Sequence, residues 1–462
     1  MKKDNAPDTV VNGADERECS TAFKWFHATS LNGGPQLIAA TINSYLAIFL
    51  TDTFGMAASV ASVILLIGSI WDAVNDPIMG AIADRTKSRW GRYRPYFLLF
   101  PVLLAFVSVM LFLNPQGLTE GQKVAYIAVF YILYGMVFTV LTMPQMAILP
   151  ACTKCDKERN SIIALGGAVT ALSYTIASSF TTNFLGWTGG SYVPIMLVYG
   201  VLTIIAFWGL FATSKEKYLK PVDKSGSIFR DLKTLLRHKE VWPVMLAWCL
   251  VTIGYGLMFS ASVYYVMYYM VRPDLIPVYM LTVSGGALVS MSVLLPIALK
   301  VFKTGHKALM VTQAIAGVIY LAAFLAGNRS LILLFILSAL ATCASAMSMA
   351  LVNVLVNDTI DFVQLKDNTS LNGTISALKG FAGKLGVTAA NSGILAILGA
   401  TGYVAGAVGQ QPESALIGLN VMRFGIPAVV AFLLAFILKF YPLEKYYPEI
   451  REMKKNMTAN EQ

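Results

Sequence analysis

Asp72 and Asp76 stand four residues apart in the stretch WDAVNDPIMGAIADRTKSRWGRYRP, directly after the apolar run AASVASVILLIGSI. On a helix, side chains at i and i+4 emerge from one face, and Asn75 borders the same face. Two carboxylates this close in a low-dielectric setting cannot both stay ionised without a cation. Either one keeps a proton, or a metal ion bridges them. Sodium takes hard oxygen ligands, and Asn75 adds a neutral carbonyl oxygen; a proton needs only the carboxylates. The pattern predicts a cation-coupling site for Na+ or H+, with no cofactor and no metal beyond that Na+.

The elements that must hold this pair are membrane spans. The chain has 462 residues, 56% hydrophobic and 13% charged, with a mean hydropathy of +0.64, which excludes a soluble domain of this size. Residues 1–23 are polar with mixed charge and predict a cytoplasmic tail rather than a cleaved signal peptide. Reading apolar runs of about 20 residues gives twelve spans near 24–50, 57–83, 95–114, 124–146, 161–185, 192–213, 241–270, 277–301, 307–327, 331–356, 372–402 and 417–440.

Alternate loops carry the bases: Arg85 to Arg94, Lys154 to Arg159, eight between Lys215 and Lys239, then Lys300, Lys303 and Lys307. The opposite loops hold only Lys123, Arg272 and Arg329. The positive-inside rule then places both termini in the cytoplasm, as an even number of spans requires. The net charge of +10 is thus a topology signal rather than a sign of nucleic-acid binding. The basic loop 214–240 divides the chain into six-span bundles, 24–213 and 241–440, followed by a cytoplasmic tail, 441–462. That layout is all-α integral membrane, a transporter with its site near the midplane, between the halves. Gly33-Gly34-Pro35 interrupts the first span and predicts a hinge or kink.

On this map nearly every Asp and Glu falls in a loop, a tail or a helix end, leaving Asp72 and Asp76 well inside a span. An intramembrane acid is a functional-site hypothesis by default. The bases within spans are Lys379 and Arg423, near span ends where they can snorkel, and Lys384, deeper and opposite the acids. Cys152 and Cys155 form a C-x-x-C without a second pair or a nearby His, and the odd count of five cysteines argues against a disulfide framework. His27, His238 and His306 lie at span ends or in loops, and no nucleophile, base and ligand cluster suggests an enzyme.

Trp71-Asp72-Ala73-x-Asn75-Asp76-Pro77-x-Met79-Gly80, followed by Arg89-Trp90-Gly91-Arg92-Tyr93-Arg94-Pro95, resembles the signature of the glycoside–pentoside–hexuronide:cation symporters, the melibiose permease group of the major facilitator superfamily. Further matching pieces are TDTFG at 51–55, YILYGMVFT at 131–139, the Pro144 to Pro150 segment, Lys157-Glu158-Arg159, Asn357 to Phe362, and Lys384-Leu385-Gly386. The resemblance implies the major facilitator fold with 12 transmembrane helices, alternating access, and a cation-coupled small-molecule substrate. It implies a cation site of Asp72, Asn75, Asp76 and Thr139, with Lys384 associated. The segment GAIADRTKSRWGR resembles the superfamily's inner gate. In it Gly80 would permit close helix approach, Asp84 would cap or pair across the halves, and Arg85, Arg89 and Arg92 would bond helix C-termini or acids in the inward-closed state besides enforcing topology, with Asp358 and Asp361 as candidate partners.

The sugar-site positions depart from the group's pattern. Its span-one acid and tyrosine fall on Gln36 and Asn43, its span-four acid and tryptophan on Thr142 and Met146, its span-five arginine near Gly166, and its span-ten tryptophan on Met349. A pyranoside is normally held by carboxylates on its hydroxyls and an aromatic plane under its ring. Two readings stay open: a sugar or glycoside held by Gln36, Asn43, Thr142, Tyr174 and Asn353, or a more apolar aglycone, steroid or lipid in a cavity softened by Met143, Met146, Met347 and Met349. A third, from another class, is a transporter-like solute sensor. The expected setting is the inner membrane, multi-pass, in contact with the lipid bilayer, without nucleic acid, and functional as a monomer.

Overall fold

The computed structural model describes residues 18–218, 235, 237–302, 304–327, 330–367, 372–450 and 452–453. Most of the basic loop 214–240 and of the N-terminal tail therefore lies outside the described residues, as do residue 451 and residues 454–462 of the C-terminal tail. Within them the chain is helical: α1 Thr21–Asn32, α2 Gly34–Ile48, α3 Ala58–Arg85, α4 Tyr96–Leu111, α5 Glu120–Cys152, α6 Asp156–Trp187, α7 Val193–Thr213, α8 Val241–Tyr264, α9 Ile276–Val289, α10 Leu295–Phe302, α11 Gly305–Ala326, α12 Leu331–Ser345, α13 Ser348–Asp367, α14 Asn372–Ala400, α15 Glu413–Asn420 and α16 Ile426–Lys439. Helix occupies every one of the twelve expected segments. Ten described runs are long and apolar enough to cross a membrane. The other two segments fall short for visible reasons: Gly33 splits the first into α1 and α2, and α4 has 16 residues.

Local chemistry sets the boundaries. Ser20 caps α1, accepting from the Phe23 amide, and Thr119 with Gln122 forms a capping box on α5. Pro35 stands at the start of α2, where its missing amide costs nothing. Wide π-type turns at Phe49–Thr53, Tyr265–Tyr269, Ser290–Leu294 and Val421–Gly425 let four runs continue with a shifted face. Leu99, Phe106, Val198, Leu325 and Phe436 point outward, as a hydrocarbon surround requires. Buried hydroxyls such as Thr203 and Thr359 satisfy themselves on the carbonyl four residues back.

Helices α1–α7 and α8–α16 form two halves that meet along three seams: α3 on α14, α2 on α8, and α6 on α9. The second half is locked internally by α8 on α14. That packing is close because it uses glycine: a Cβ at Gly386 would overlap the Thr252 hydroxyl and the Cys249 carbonyl, and one at Gly256 would sit 2.7 Å from the Ala390 methyl. Among the described residues, a Cβ at Gly80 would meet nothing within 4 Å.

Outside the spans, the segment after α16 folds back on the base of the second half. Glu444 pairs with Lys307 at 2.7 Å, and that hydrogen bond holds its carboxyl below the usual range, while Tyr447 donates to Asp358 at 2.7 Å. The chain ahead of α1 is likewise tied down. Glu158 accepts from the Glu18 and Cys19 amides and pairs with Lys24 at 2.8 Å.

The glycine seam gives a direct test. Gly386→Ala should destabilise the purified protein by about 1–3 kcal/mol through overpacking, read as a lower unfolding midpoint. Gly393→Ala, at a position with open space around it, should leave that midpoint unchanged or slightly raised.

Candidate functional site

The α3 helix presents Asp72, Asn75 and Asp76 toward α5 and α14, and each neighbour supplies one polar group. From α5, Thr139 Oγ1 donates to Asp76 Oδ1 at 2.8 Å. From α14, Lys384 Nζ lies 2.7 Å from Asp76 Oδ2 and 3.7 Å from Asp72 Oδ2, and donates to the Asp72 carbonyl at 2.9 Å. The three charged side chains are 24–30% exposed. Gly135 on α5 makes room for them, since a Cβ there would overlap the Asp72 carboxyl.

Among the described residues, two polar atoms of this cluster are buried without a partner, Asp72 Oδ1 and Asn75 Nδ2. Buried polar atoms are nearly always satisfied, so an orphaned carboxylate oxygen beside a second carboxylate, a hydroxyl and an amide marks a place suited to a cation. The donor set is all oxygen: two carboxylates, the Thr139 hydroxyl and the Asn75 carbonyl. Lys384 already brings one positive charge to it. A sodium ion or a proton in this place would compete with the ammonium for the same two carboxylates.

The residues expected around a solute are more dispersed. Gln36 and Met349 are half-buried, and Met146 is 61% exposed. The Thr142 hydroxyl is spent on the Phe138 carbonyl at 2.8 Å, and the Asn43 carbonyl accepts from Ser260 Oγ across the α2–α8 seam. Asn353 donates to the Met349 carbonyl at 2.7 Å and accepts from Lys379 Nζ at 2.5 Å. Among the described residues none of these shares a hydrogen bond with the acid pair. At the expected gate, Arg85 and Arg89 are exposed, with Arg89 lying 4.3 Å over the Trp90 ring. The Arg92 amide donates to Glu216 at 2.7 Å, and Asp358 takes Tyr447. The side chain of Asp84 lies outside the described residues.

Two expectations need correction. Arg423 does not snorkel: it is fully buried in a π turn, donating through Nε to the Tyr279 hydroxyl at 3.1 Å, because that turn swings it into the second half. Lys379 does not snorkel either, being held by Asn353 and lying 4.3 Å over the Trp248 ring. Asp52 falls at a helix end, as the sequence map has it, and is held there by several hydroxyls. It sits in the π turn that ends the first segment, where Thr51 donates at 2.6 Å, Tyr403 at 2.7 Å, and Tyr268 to the other oxygen. Tyr264 bonds Thr51 at 3.0 Å.

These tyrosines belong to the second half and Asp52 to the first, so the network ties the halves together at the end opposite the Arg85–Arg94 loop. Ser62 on the Ser392 carbonyl, Ser178 on Ser284 and Ser260 on Asn43 extend the closure inward. Between that closure and the acid pair, Tyr174 meets Phe259 at 4.5 Å and Tyr255 at 6.3 Å, an aromatic group bridging the halves. Sequence reading missed Tyr255 and Phe259 because an aromatic at helical spacing looks like core. Asp52 carried one signal, its place in the quoted TDTFG motif.

Comparison with known proteins agrees with this architecture. The family model described as MFS/sugar transport protein matches residues 32–445. The isoprimeverose transporter of Lactiplantibacillus pentosus is 26% identical, over 88% of this chain and 86% of its own. The inner membrane symporter YicJ of Escherichia coli is also 26% identical, over 88% and 89%. A solved bacterial homologue of the human lysosomal transporter Spinster superposes with a TM-score of 0.66 at 15% identity, covering 91% of this chain and 98% of that one, which shows the fold. Matched over most of its length by the family model and carrying the group's signature around Asp72 and Asp76, the chain belongs to the glycoside–pentoside–hexuronide:cation symporters of the major facilitator superfamily, multi-pass transporters of the inner membrane rather than enzymes.

Proposed function

We propose that this protein is a secondary active symporter that couples entry of a sodium ion or proton to uptake of a small glycoside by alternating access. Twelve spans in two six-helix bundles, 24–213 and 241–440, carry it, with both termini in the cytoplasm as the distribution of Lys and Arg requires. The observation that carries the reading is the shared hold of Lys384 and Thr139 on Asp76, with Asp72 Oδ1 left unpartnered beside them.

The cation would bind Asp72, Asp76, Thr139 and Asn75, displacing the Lys384 ammonium from the carboxylates. Because α3 and α14 belong to different halves, that displacement alters the seam between them. Cation binding is then felt as a change in how the halves fit, which is what coupling requires. The Asp52 network supports a conformation closed at the outer end; outward opening must break its hydrogen bonds. Solute would enter between the acid pair and the Tyr174, Tyr255 and Phe259 group, where aromatic faces can lie against a sugar ring. The tied hydroxyl of Thr142 and the exposure of Met146 favour the second reading, an amphipathic solute with the same coupling.

In proteoliposomes, Asp76→Asn should abolish uphill accumulation of a transported glycoside while leaving downhill equilibration measurable. Full gradient-driven accumulation by this variant would sink the coupling assignment. A screen of the purified carrier by thermal shift separates the two solute classes: stabilisation by glycosides is expected, and stabilisation by steroids or aglycones alone would transfer the proposal to the second reading.

Asp52→Ala should loosen the outer closure. With paired spin labels on the outer ends of α2 and α8, the long-distance population should grow several-fold, since losing charge-assisted hydrogen bonds of roughly 1.5–3 kcal/mol each shifts a two-state balance by about tenfold or more. An unchanged distance distribution would remove Asp52 from the gate.

A further inference from the structure

Arg423 is a fully buried guanidinium in the second half. Its Nε is spent on the Tyr279 hydroxyl at 3.1 Å and its Cζ lies 4.6 Å from the centre of the Phe424 ring. Among the described residues, Nη1 and Nη2 have no hydrogen-bond partner, and no carboxylate comes within ion-pair distance of them. Asp52 gives its oxygens to Thr51, Tyr403 and Tyr268 instead. A guanidinium cannot shed its proton to escape burial as an amine can. An uncompensated charge at membrane depth is costly, so the second half carries a fixed positive charge that calls for an anion.

A cavity of about 20 Å³ lies close by, between α8, α11, α16 and the α12–α13 junction. On the same measure one water needs about 10–15 Å³, which leaves room here for a single guest somewhat larger than water. Gln313, 4% exposed, lines this cavity, and its Nε2 is another buried donor without a partner among the described residues. Tyr320 and Ser345 line it as well, their hydroxyl oxygens 3.0 Å apart. One hydroxyl of that pair donates to the other, and the second O–H remains available to a guest. Gln313 and Tyr320 stand seven residues apart on α11 and so share a face. The Tyr320 hydroxyl is also within electrostatic reach of the Arg423 guanidinium, which joins the cavity to the unpaired charge.

We infer that this cavity is a resident site for a small monovalent anion, chloride, held by Gln313 Nε2 and the Tyr320 and Ser345 hydroxyls in the field of Arg423. The lining supplies N–H and O–H donors and, among the described residues, no acidic side chain. Its size suits a halide and excludes a sugar or an organic acid. The ion serves the fold rather than the coupling step: it compensates Arg423 without entering the acid cluster of Asp72 and Asp76. Tyr255 lines the same cavity and meets Tyr174 across the halves at 6.3 Å, so the occupied site steadies one wall of the proposed solute path.

The test follows the unfolding midpoint of the purified full-length carrier as sodium gluconate is exchanged for sodium chloride at constant sodium and ionic strength. Chloride should raise the midpoint by a few degrees and then saturate, as a ligand of the folded state does, and bromide should replace it. Arg423→Met should abolish the saturable response. Gln313→Leu should weaken chloride by about tenfold, the scale of one charge-assisted hydrogen bond. Equal midpoints in chloride and gluconate, or a saturable response that either variant retains in full, would overturn the site. A response lost in Asp76→Asn and kept in Arg423→Met would move the anion effect to the acid cluster and overturn it as well.

A crystal grown in bromide gives a readout that needs no variant. An anomalous peak between Gln313, Tyr320 and Ser345 is expected, and density there without anomalous signal would make the occupant water and refute the inference. If Arg423→Met does not fold, the wild-type exchange and the bromide peak decide. Failure of the chloride site leaves the symport reading standing, because sodium is held constant throughout and the wild-type measurements leave Asp72 and Asp76 untouched.

Discussion

The ion pair between Lys384 on α14 and the acids on α3 joins the two halves of the molecule through charge at membrane depth. Two carboxylates there demand positive charge, and in the absence of an external cation the protein supplies its own. A buried pair of this kind is poor glue, because desolvation consumes most of the attraction. On the proposed reading it serves instead as a contact whose strength depends on what else is bound. Everything around it favours that role: Thr139 fixes one carboxylate, Gly135 gives the other room, and Asp72 Oδ1 and Asn75 Nδ2 remain unsatisfied.

The surrounding helices are arranged so that this contact matters. The α14 helix is clamped to α8 by close glycine packing, so it moves with the second half, while α3 packs on α5 in the first. A change in the hold between Lys384 and Asp76 therefore acts on two stiff bodies rather than on two flexible helices. Close-packed interfaces respond by switching between arrangements more readily than by gradual deformation.

Much of this was legible in the sequence, for a physical reason. Charge inside a greasy run is conspicuous because hydrocarbon penalises it, so Asp72 and Asp76 stood out from the pattern alone, and helix now occupies all twelve apolar runs. Thr139 and Lys384 were reachable only through the family signature, since a hydroxyl is cheap anywhere on a helix and a lysine can snorkel. What stayed hidden depends on face and depth. Arg423 was read as an interfacial base because periodicity cannot anticipate a π turn, which advances the face and carries the guanidinium inward. Asp52 ends an apolar run and so blends with the other loop and helix-end acids, while its tyrosine partners lie more than 200 residues away.

The two acid sites divide the work of a carrier by the kind of partner each has. Asp52 is held by hydroxyls, which are neutral and cannot leave it for another charge, so its network is a closure governed by geometry. Asp72 and Asp76 are held chiefly by an ammonium, which a cation can replace, so their cluster is governed by occupancy. Ser62 on Ser392 and Ser260 on Asn43 join the halves between these two levels through neutral hydrogen bonds. Such bonds break and re-form in water at little net cost. On the proposed reading, an outer end closed by neutral hydroxyls gathered on Asp52 lies above a midplane held by exchangeable charge, so opening has to break the Asp52 network while the bound cation sets when that happens.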